Sequence, residues 1–250
     1  MKSVERQKMI LDVLKDRDHF EVKELLALLP ASPATVRRDL VAMEQTGVIK
    51  KARGKIFREN PERTPSFEVR GLFGGEEKKL IGKAAARLVN EGDSVMIDAG
   101  TTTQAFAMEL RDFQRLSVVT NSIPVAALFN RTAVQTFICG GTVHDMALLD
   151  DDAVKYLSTR RVDKAFLGAS GVQMEEGVSV VSSFQLGVKR RMVQSANEVY
   201  VLLDSSKFHC MGITVFADFN ELTGIITSKP IQNERLLERL DKLNVKVIYA

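Results

Sequence analysis

The stretch Ser32-Pro33-Ala34-Thr35-Val36-Arg37-Arg38-Asp39-Leu40 opens a helix that turns two adjacent arginines outward. Ser32 can cap that helix, and Pro33 stands at its first position, where a missing N–H costs nothing. At about 100° per residue, Val36, Leu40 and Met43 share one apolar face, with Arg38 almost opposite and Arg37 beside it. A buried stripe backed by paired guanidinium groups presents charge to an anion.

Working outward, Met9, Ile10, Val13 and Leu14 predict a first helix, broken at Asp16-Arg17-Asp18. Val22, Leu25, Leu26 and Leu29 predict a second, ending at Pro30. His19 is expected in the turn between them. The third helix covers Ser32–Met43. Three helices with a tight turn before the last make a helix-turn-helix, whose last helix enters the major groove of DNA. Downstream, the basic runs Val48–Lys51 and Lys55–Arg58 flank Ala52-Arg53-Gly54, which predicts a β-hairpin with the shape of a wing. Ser32, Thr35, Arg37 and Arg38 are the candidate contacts to phosphates and base edges. Lys51, Arg53 and Lys55 are the candidate backbone contacts from the wing.

Charge supports that reading. The 250 residues carry a net charge of +3, yet residues 1–60 alone carry 13 Lys/Arg against 9 Asp/Glu. The remaining residues are close to balanced. A basic patch confined to a small N-terminal module is the footprint of a nucleic-acid binder with a separate second domain. Residues 59–75 hold two prolines and three glycines without periodicity and read as a linker. The expected organisation is therefore a DNA-binding domain over 1–58, that linker, and a second domain over 76–250. No apolar run is long enough to span a membrane, and MKSVERQKMI lacks the apolar core of a signal peptide. Cys139 and Cys210, far apart and without CxxC spacing, read as free thiols of a cytoplasmic protein.

Past the linker, Leu80, Ile81, Ala84, Ala85, Leu88 and Val89 predict an amphipathic helix. The chain then alternates short apolar strands (94–98, 117–120, 134–138, 164–168, 199–203, 224–227, 246–249) with helices near 103–110, 123–130, 151–158, 184–197 and 231–241. Such alternation predicts α/β architecture with a mainly parallel sheet. Ligands of open α/β sheets bind beyond the carboxyl ends of the strands. Here those ends read Asp98-Ala99-Gly100-Thr101-Thr102-Thr103, Thr120-Asn121-Ser122, Cys139-Gly140-Gly141, Gly168-Ala169-Ser170-Gly171 and Asp204-Ser205-Ser206-Lys207. Glycines admit a close ligand, and hydroxyls and N–H groups at helix starts bind phosphate. Asp98 and Asp204 are expected to accept from sugar hydroxyls, and Lys207 or Lys189 to balance a phosphate. One such loop alone could merely cap a helix. Five on one rim favour a small anionic, hydroxyl-rich ligand.

Other chemistry lacks its residues. G-x-G-x-x-G, Walker A and G-x-S-x-G patterns are absent, and His19, His144 and His209 have no metal-ligand spacing. No metal or cofactor is expected.

Taken together, Ser32-x-x-Thr35-Val36-Arg37-Arg38-Asp39-Leu40, Asp98-Ala99-Gly100-Thr101-Thr102-Thr103 and Val118-Val119-Thr120-Asn121 resemble the DeoR family of bacterial transcription regulators. Gly140-Gly141, Asp163–Gly171, Val188-Lys189-Arg190 and Asp204-Ser205-Ser206-Lys207 extend the resemblance in order along the chain. It implies a winged helix-turn-helix joined to a domain resembling ribose-5-phosphate isomerase. It also implies repression of a sugar-catabolic operon, with a double-stranded DNA operator as partner and release by a small phosphorylated sugar. The candidate effector residues are Asp98, Gly100, Thr101, Thr102, Thr103, Thr120, Asn121, Gly140, Gly141, Gly168, Ser170, Gly171, Lys189, Asp204 and Lys207. Paired half-sites call for a homodimer or homotetramer.

The chain departs from the family pattern in three places. Arg53-Gly54-Lys55 replaces a His-Gly-Gly wing, and Gln185-Leu186-Gly187 replaces acidic residues before Val188. Asp150-Asp151-Asp152 stands where a glycine is usual, and three acids beside an anion pocket are expected to repel phosphate. Two alternatives stay open: a sugar-phosphate isomerase with an incidental N-terminal module, and a DNA-binding regulator that senses no ligand.

Overall fold

The computed structural model describes residues 3–14, 19–45, 49–58, 67–71 and 73–250. The expected break at Asp16-Arg17-Asp18 and most of the expected linker lie outside them. The chain divides into two compact units, 1–73 and 74–250.

In the first unit, α1 (Ser3–Val13) leads to β1 (Phe20–Glu21), α2 (Val22–Leu28) and α3 (Pro33–Gln45). There follow β2 (Ile49–Ala52), β3 (Lys55–Arg58) and α4 (Phe67–Gly71), a short helix within the segment read as a linker. The apolar stripes predicted from periodicity meet in one core, where Ile10, Leu14, Leu25, Val36, Leu40 and Met43 are all buried, but Met9, counted in the first stripe, is 38% exposed. Each such side chain contributes about 1.5–3 kcal/mol relative to exposure. Ser32 accepts from the Thr35 amide at 3.2 Å and so caps α3. The wing hairpin turns at Arg53-Gly54, both at positive φ (47° and 77°), and gains β1 as a third, antiparallel strand on β3.

The second unit opens with α5 (Gly75–Ala86), β4 (Ser94–Ile97), α6 (Thr101–Met108), β5 (Ser117–Thr120), α7 (Ile123–Leu128) and β6 (Gln135–Ile138). A hairpin, β7 (Thr142–His144) and β8 (Ala147–Leu149), precedes α8 (Asp151–Ser158) and β9 (Val162–Gly168). Then come β10 (Gly171–Gln173), β11 (Gly177–Val180), α9 (Leu186–Gln194), β12 (Ala196–Leu202), β13 (Thr214–Asp218), β14 (Gly224–Thr227), α10 (Glu234–Lys242) and β15 (Lys246–Tyr249). Seven strands form one parallel sheet in the order β15-β14-β12-β9-β4-β5-β6. Along each central strand alternate residues feed different cores, as a sheet covered on both faces requires. Val95, Ile97, Phe166, Tyr200 and Leu202 pack with α5, α6 and α7 residues. Met96, Ala165, Leu167, Val201 and Leu203 pack with α8, α9 and α10 residues.

Two further findings differ from the sequence-based reading. Leu80, expected inward on α5, is 48% exposed, because it lies a full 100° step from Ile81 and off the buried stripe. On the buried stripe, Gly82 is pressed against α6, where an added Cβ would stand 2.8 Å from the Ala105 carbonyl carbon. A second, antiparallel sheet, β10-β11-β13, was not expected at all. Among the described residues no helix is long and apolar enough to cross a membrane.

Candidate functional site

On α3, Arg37 and Arg38 are exposed, whereas Asp39 beside them is 5% exposed and faces α1. Its carboxylate accepts from Arg6 Nε at 2.6 Å and from Ser3 Oγ at 2.5 Å. Donation from Arg6, opposed by burial and helped by Ser3, holds the Asp39 carboxyl below its ordinary range. Asp39 thus fixes α3 on α1 and leaves the two arginines outward. Thr35 is half-buried with its hydroxyl 2.8 Å from Ser32 Oγ. On the wing, Lys51 pairs with Glu44 at 2.7 Å, and Lys55 Nζ lies 3.0 Å from His19 Nε2. Both lysines are therefore tied to their own unit, and Arg53 at the turn is the exposed cation of the wing tip.

In the second unit the strand order runs one way from β4 to β6 and the other way from β9 to β15. The reversal falls between β4 and β9, and the crevice beyond the carboxyl ends at such a point is where open α/β sheets bind ligands. Asp98 ends β4 and Gly168 ends β9. The Gly168 amide donates to Asp98 Oδ2 at 3.1 Å. Lys189, from α9, donates to the same carboxylate oxygen and to the Gly168 carbonyl at 2.7 Å. Both charged side chains are buried, at 2% and 3% exposure. Lys189 is thus spent on Asp98 rather than held ready as a free cation for a phosphate.

The surrounding hydroxyls divide similarly. Thr103 donates to the Asp98 carbonyl at 2.6 Å, and Thr120 donates to the Ile97 carbonyl at 2.6 Å. Asn121 accepts from the Ala99 amide at 3.0 Å, joining the ends of β4 and β5. These three side chains shape the rim. Thr101, Thr102 and Gly100 remain at the start of α6, whose N-terminus has no side-chain cap. A helix start with unmet N–H groups suits an anion.

Asp150, expected to repel an anion, has another task. It caps α8 through the Ala153 amide at 3.0 Å and accepts from the Thr142 amide at 2.7 Å. Those two donors hold its carboxyl below the usual range despite some burial. The approach is so close that an added Cβ on Gly141, at φ 122°, would stand 2.6 Å from Asp150 Oδ1. Asp151 and Asp152 are exposed. Gly171 also has a packing reason, since a Cβ there would meet the Cys210 carbonyl oxygen at 2.1 Å. Ser170 accepts weakly from the Val181 amide at 3.4 Å, and Gly140 faces open space. Asp204 caps the turn Ser205–His209 through the Ser206 amide at 3.1 Å and hydroxyl at 2.5 Å. Lys207, in that turn, is half-buried.

With this geometry in view, comparison with known proteins is direct. Residues 6–59 match the DeoR-like helix-turn-helix domain, and residues 75–229 match the DeoR C terminal sensor domain. The chain belongs to the DeoR family. It is 33% identical to the HTH-type transcriptional repressor GlcR of Bacillus subtilis, over 98% of this chain and 95% of that protein. It is 29% identical to the HTH-type transcriptional regulator GolR of Listeria innocua, over 98% of each chain. Ribose 5-phosphate isomerase A of Methanocaldococcus jannaschii superposes with a TM-score of 0.41 at 20% identity over 54% of each chain, too distant to bear on function. This DeoR-family chain is a DNA-binding transcriptional regulator.

One group near the rim escaped the sequence reading. Glu77, in the first turn of α5, accepts from the Ser205 amide at 2.9 Å, Ser205 Oγ at 3.0 Å and Ser228 Oγ at 2.9 Å. Lys229 pairs with it at 2.6 Å. Burial opposes its ionisation, yet donation from Lys229, Ser205 and Ser228 outweighs that, holding the carboxyl at about 2. In the sequence Glu77 looks like an ordinary acidic residue at a helix start. Its partners lie 128 and 151 residues away, and no local signal joins them.

Proposed function

We propose that this regulator represses a sugar-catabolic operon and leaves its operator when a phosphorylated sugar occupies the rim at the β4/β9 switch point. The observation that carries the reading is the switch point itself. An uncapped helix start, Gly100–Thr103, stands there beside the buried Asp98–Lys189 pair. Two copies of α3 on a two-fold axis would read paired half-sites one helical turn apart. Arg37 and Arg38 would supply phosphate and base-edge contacts, and Arg53 would add a backbone contact from the wing. A ligand that favours a mis-spaced arrangement by about 1–3 kcal/mol would weaken operator binding roughly 5–150-fold.

The role of GlcR as a named repressor supports the sign of regulation. An isomerase would need a carboxylate poised over a bound carbonyl, whereas Asp98 is engaged by Lys189 and the Gly168 amide. A regulator without a ligand gains support from one fact, that Lys189 is already paired.

The test is a gel shift on an operator selected from a random DNA pool, repeated with a panel of pentose and hexose phosphates. At least one sugar phosphate should release the DNA, and the unphosphorylated sugar should not. Release by none of them, with no rise in melting temperature, would leave the ligand-free regulator as the reading.

A further inference from the structure

Four donors converge on Glu77: the Ser205 amide, the Ser205 and Ser228 hydroxyls, and the Lys229 ammonium. Backbone N–H, two hydroxyls and a cation around one oxyanion are what a phosphate site is made of. The donors come from the ends of β12 and β14, on the rim, while the anion comes from α5. Lys229 is also 3.4 Å from Ser205 Oγ, so its ammonium lies beside the Asp204–Lys207 turn, and it is 60% exposed. Glu77 itself is 21% exposed, so solvent and small anions can reach the cluster.

We propose that these donors form an anion site in which Glu77 is the resident, internal ligand, and that the phosphate of the effector displaces it. The inference deepens the sugar-phosphate reading and rests on it for the source of the phosphate. Displacement has a direct mechanical consequence. Glu77 is the third residue of α5, the first element of the second unit, and the chain reaches α5 from the DNA-binding unit through residues 73 and 74. Freed from Ser205, Ser228 and Lys229, the first turn of α5 loses four bonds to the rim. Farther along, α5 stays fixed by the close approach of Gly82 to Ala105 on α6. The loosened part is therefore the turn next to the junction. Lys229 and Ser228 become ligand contacts that the sequence did not indicate.

The test titrates the full-length chain with inorganic phosphate and, separately, with glucose 6-phosphate, following binding by calorimetry without DNA. An internal competitor that fills the site in about nine molecules of ten weakens apparent affinity roughly tenfold. Glu77→Gln keeps the shape, removes the charge, and should bind inorganic phosphate about tenfold tighter than the wild type. Lys229→Gln should bind it at least about fivefold more weakly, and serves should Glu77→Gln fail to fold. A merely structural role for Glu77 would not tighten anion binding. Equal or weaker binding by Glu77→Gln, unchanged binding by Lys229→Gln, or no phosphate binding by either the wild type or Glu77→Gln overturns the proposal. If Glu77→Gln binds inorganic phosphate tightly while no sugar phosphate binds or releases operator, the anion site stands and the sugar-phosphate reading fails.

Discussion

Breaking the Asp98–Lys189 pair should unfold the sensor unit far more readily than its single hydrogen-bonded contact implies. Both side chains are almost fully buried, and removing one partner leaves the other charge in a low-dielectric interior. Loss of one member of a buried pair costs about 3–5 kcal/mol. In Lys189→Met, the Asp98 carboxylate keeps only the Gly168 amide; in Asp98→Asn, the buried ammonium loses its counter-charge and keeps neutral partners, the Gly168 carbonyl, the Phe216 ring and the new amide oxygen. For a unit of this size each kcal/mol lowers Tm by roughly 2–4 °C, so either single variant should melt about 10 °C lower. Removing both charges is different. With Asp98→Asn and Lys189→Met combined, the amide oxygen still serves the Gly168 N–H and no charge is left buried. The double variant should recover at least about 2 kcal/mol relative to the sum of the singles. The assay is a double-mutant cycle on the full chain, by urea unfolding followed by circular dichroism. If the double variant loses the sum of the two single losses, the pair is not the coupled floor of the rim.

Three further outcomes are expected. Arg38→Ala should weaken operator binding by about 1–3 kcal/mol with an unchanged melting curve, whereas Asp39→Ala should cost about 1–3 kcal/mol of stability by removing the buried acceptor that Arg6 and Ser3 share; fluorescence anisotropy and calorimetric melting separate the two. Glu77 is held at about 2 from an ordinary 4.5, so its stabilisation is complete above pH 4.5 and is lost as pH falls toward 2; unfolding at a series of pH values should show a decline over that window that Glu77→Gln lacks. Burial pushes the Cys139 thiol up to about 11, while Cys210 is exposed, so a thiol reagent at pH 8 should label one cysteine in the native chain and two after denaturation.

Much of the fold was legible because the forces that build it are local. The stripe Val36, Leu40 and Met43 and the short β-branched strand segments 117–120, 224–227 and 246–249 announce themselves by period and composition. The helix near 151–158 was legible too, although in the sequence Asp150 reads as an acid that repels phosphate and not as the cap it is. The sheet β10-β11-β13 was not legible. Its strands are three to five residues long, and its register depends on contacts such as Gly177 against Ala217, which no periodicity reports. The rim shows the same division. Small and hydroxyl residues at strand ends were visible, but not which hydroxyls the backbone had already claimed. That Thr103 and Thr120 face carbonyls, that Lys189 reaches Asp98 across 91 residues, and that Glu77 holds Ser205 are matters of tertiary placement.

On the proposed function, one molecule reads DNA with α3 and surrenders it when a sugar phosphate fills the rim. The most direct measurement is operator affinity of the full chain, by anisotropy, across a titration of each sugar phosphate in a panel. One of them should raise the operator Kd by roughly 5–150-fold, and its unphosphorylated sugar should not. An operator Kd that stays constant through saturating concentrations of every sugar phosphate would contradict it.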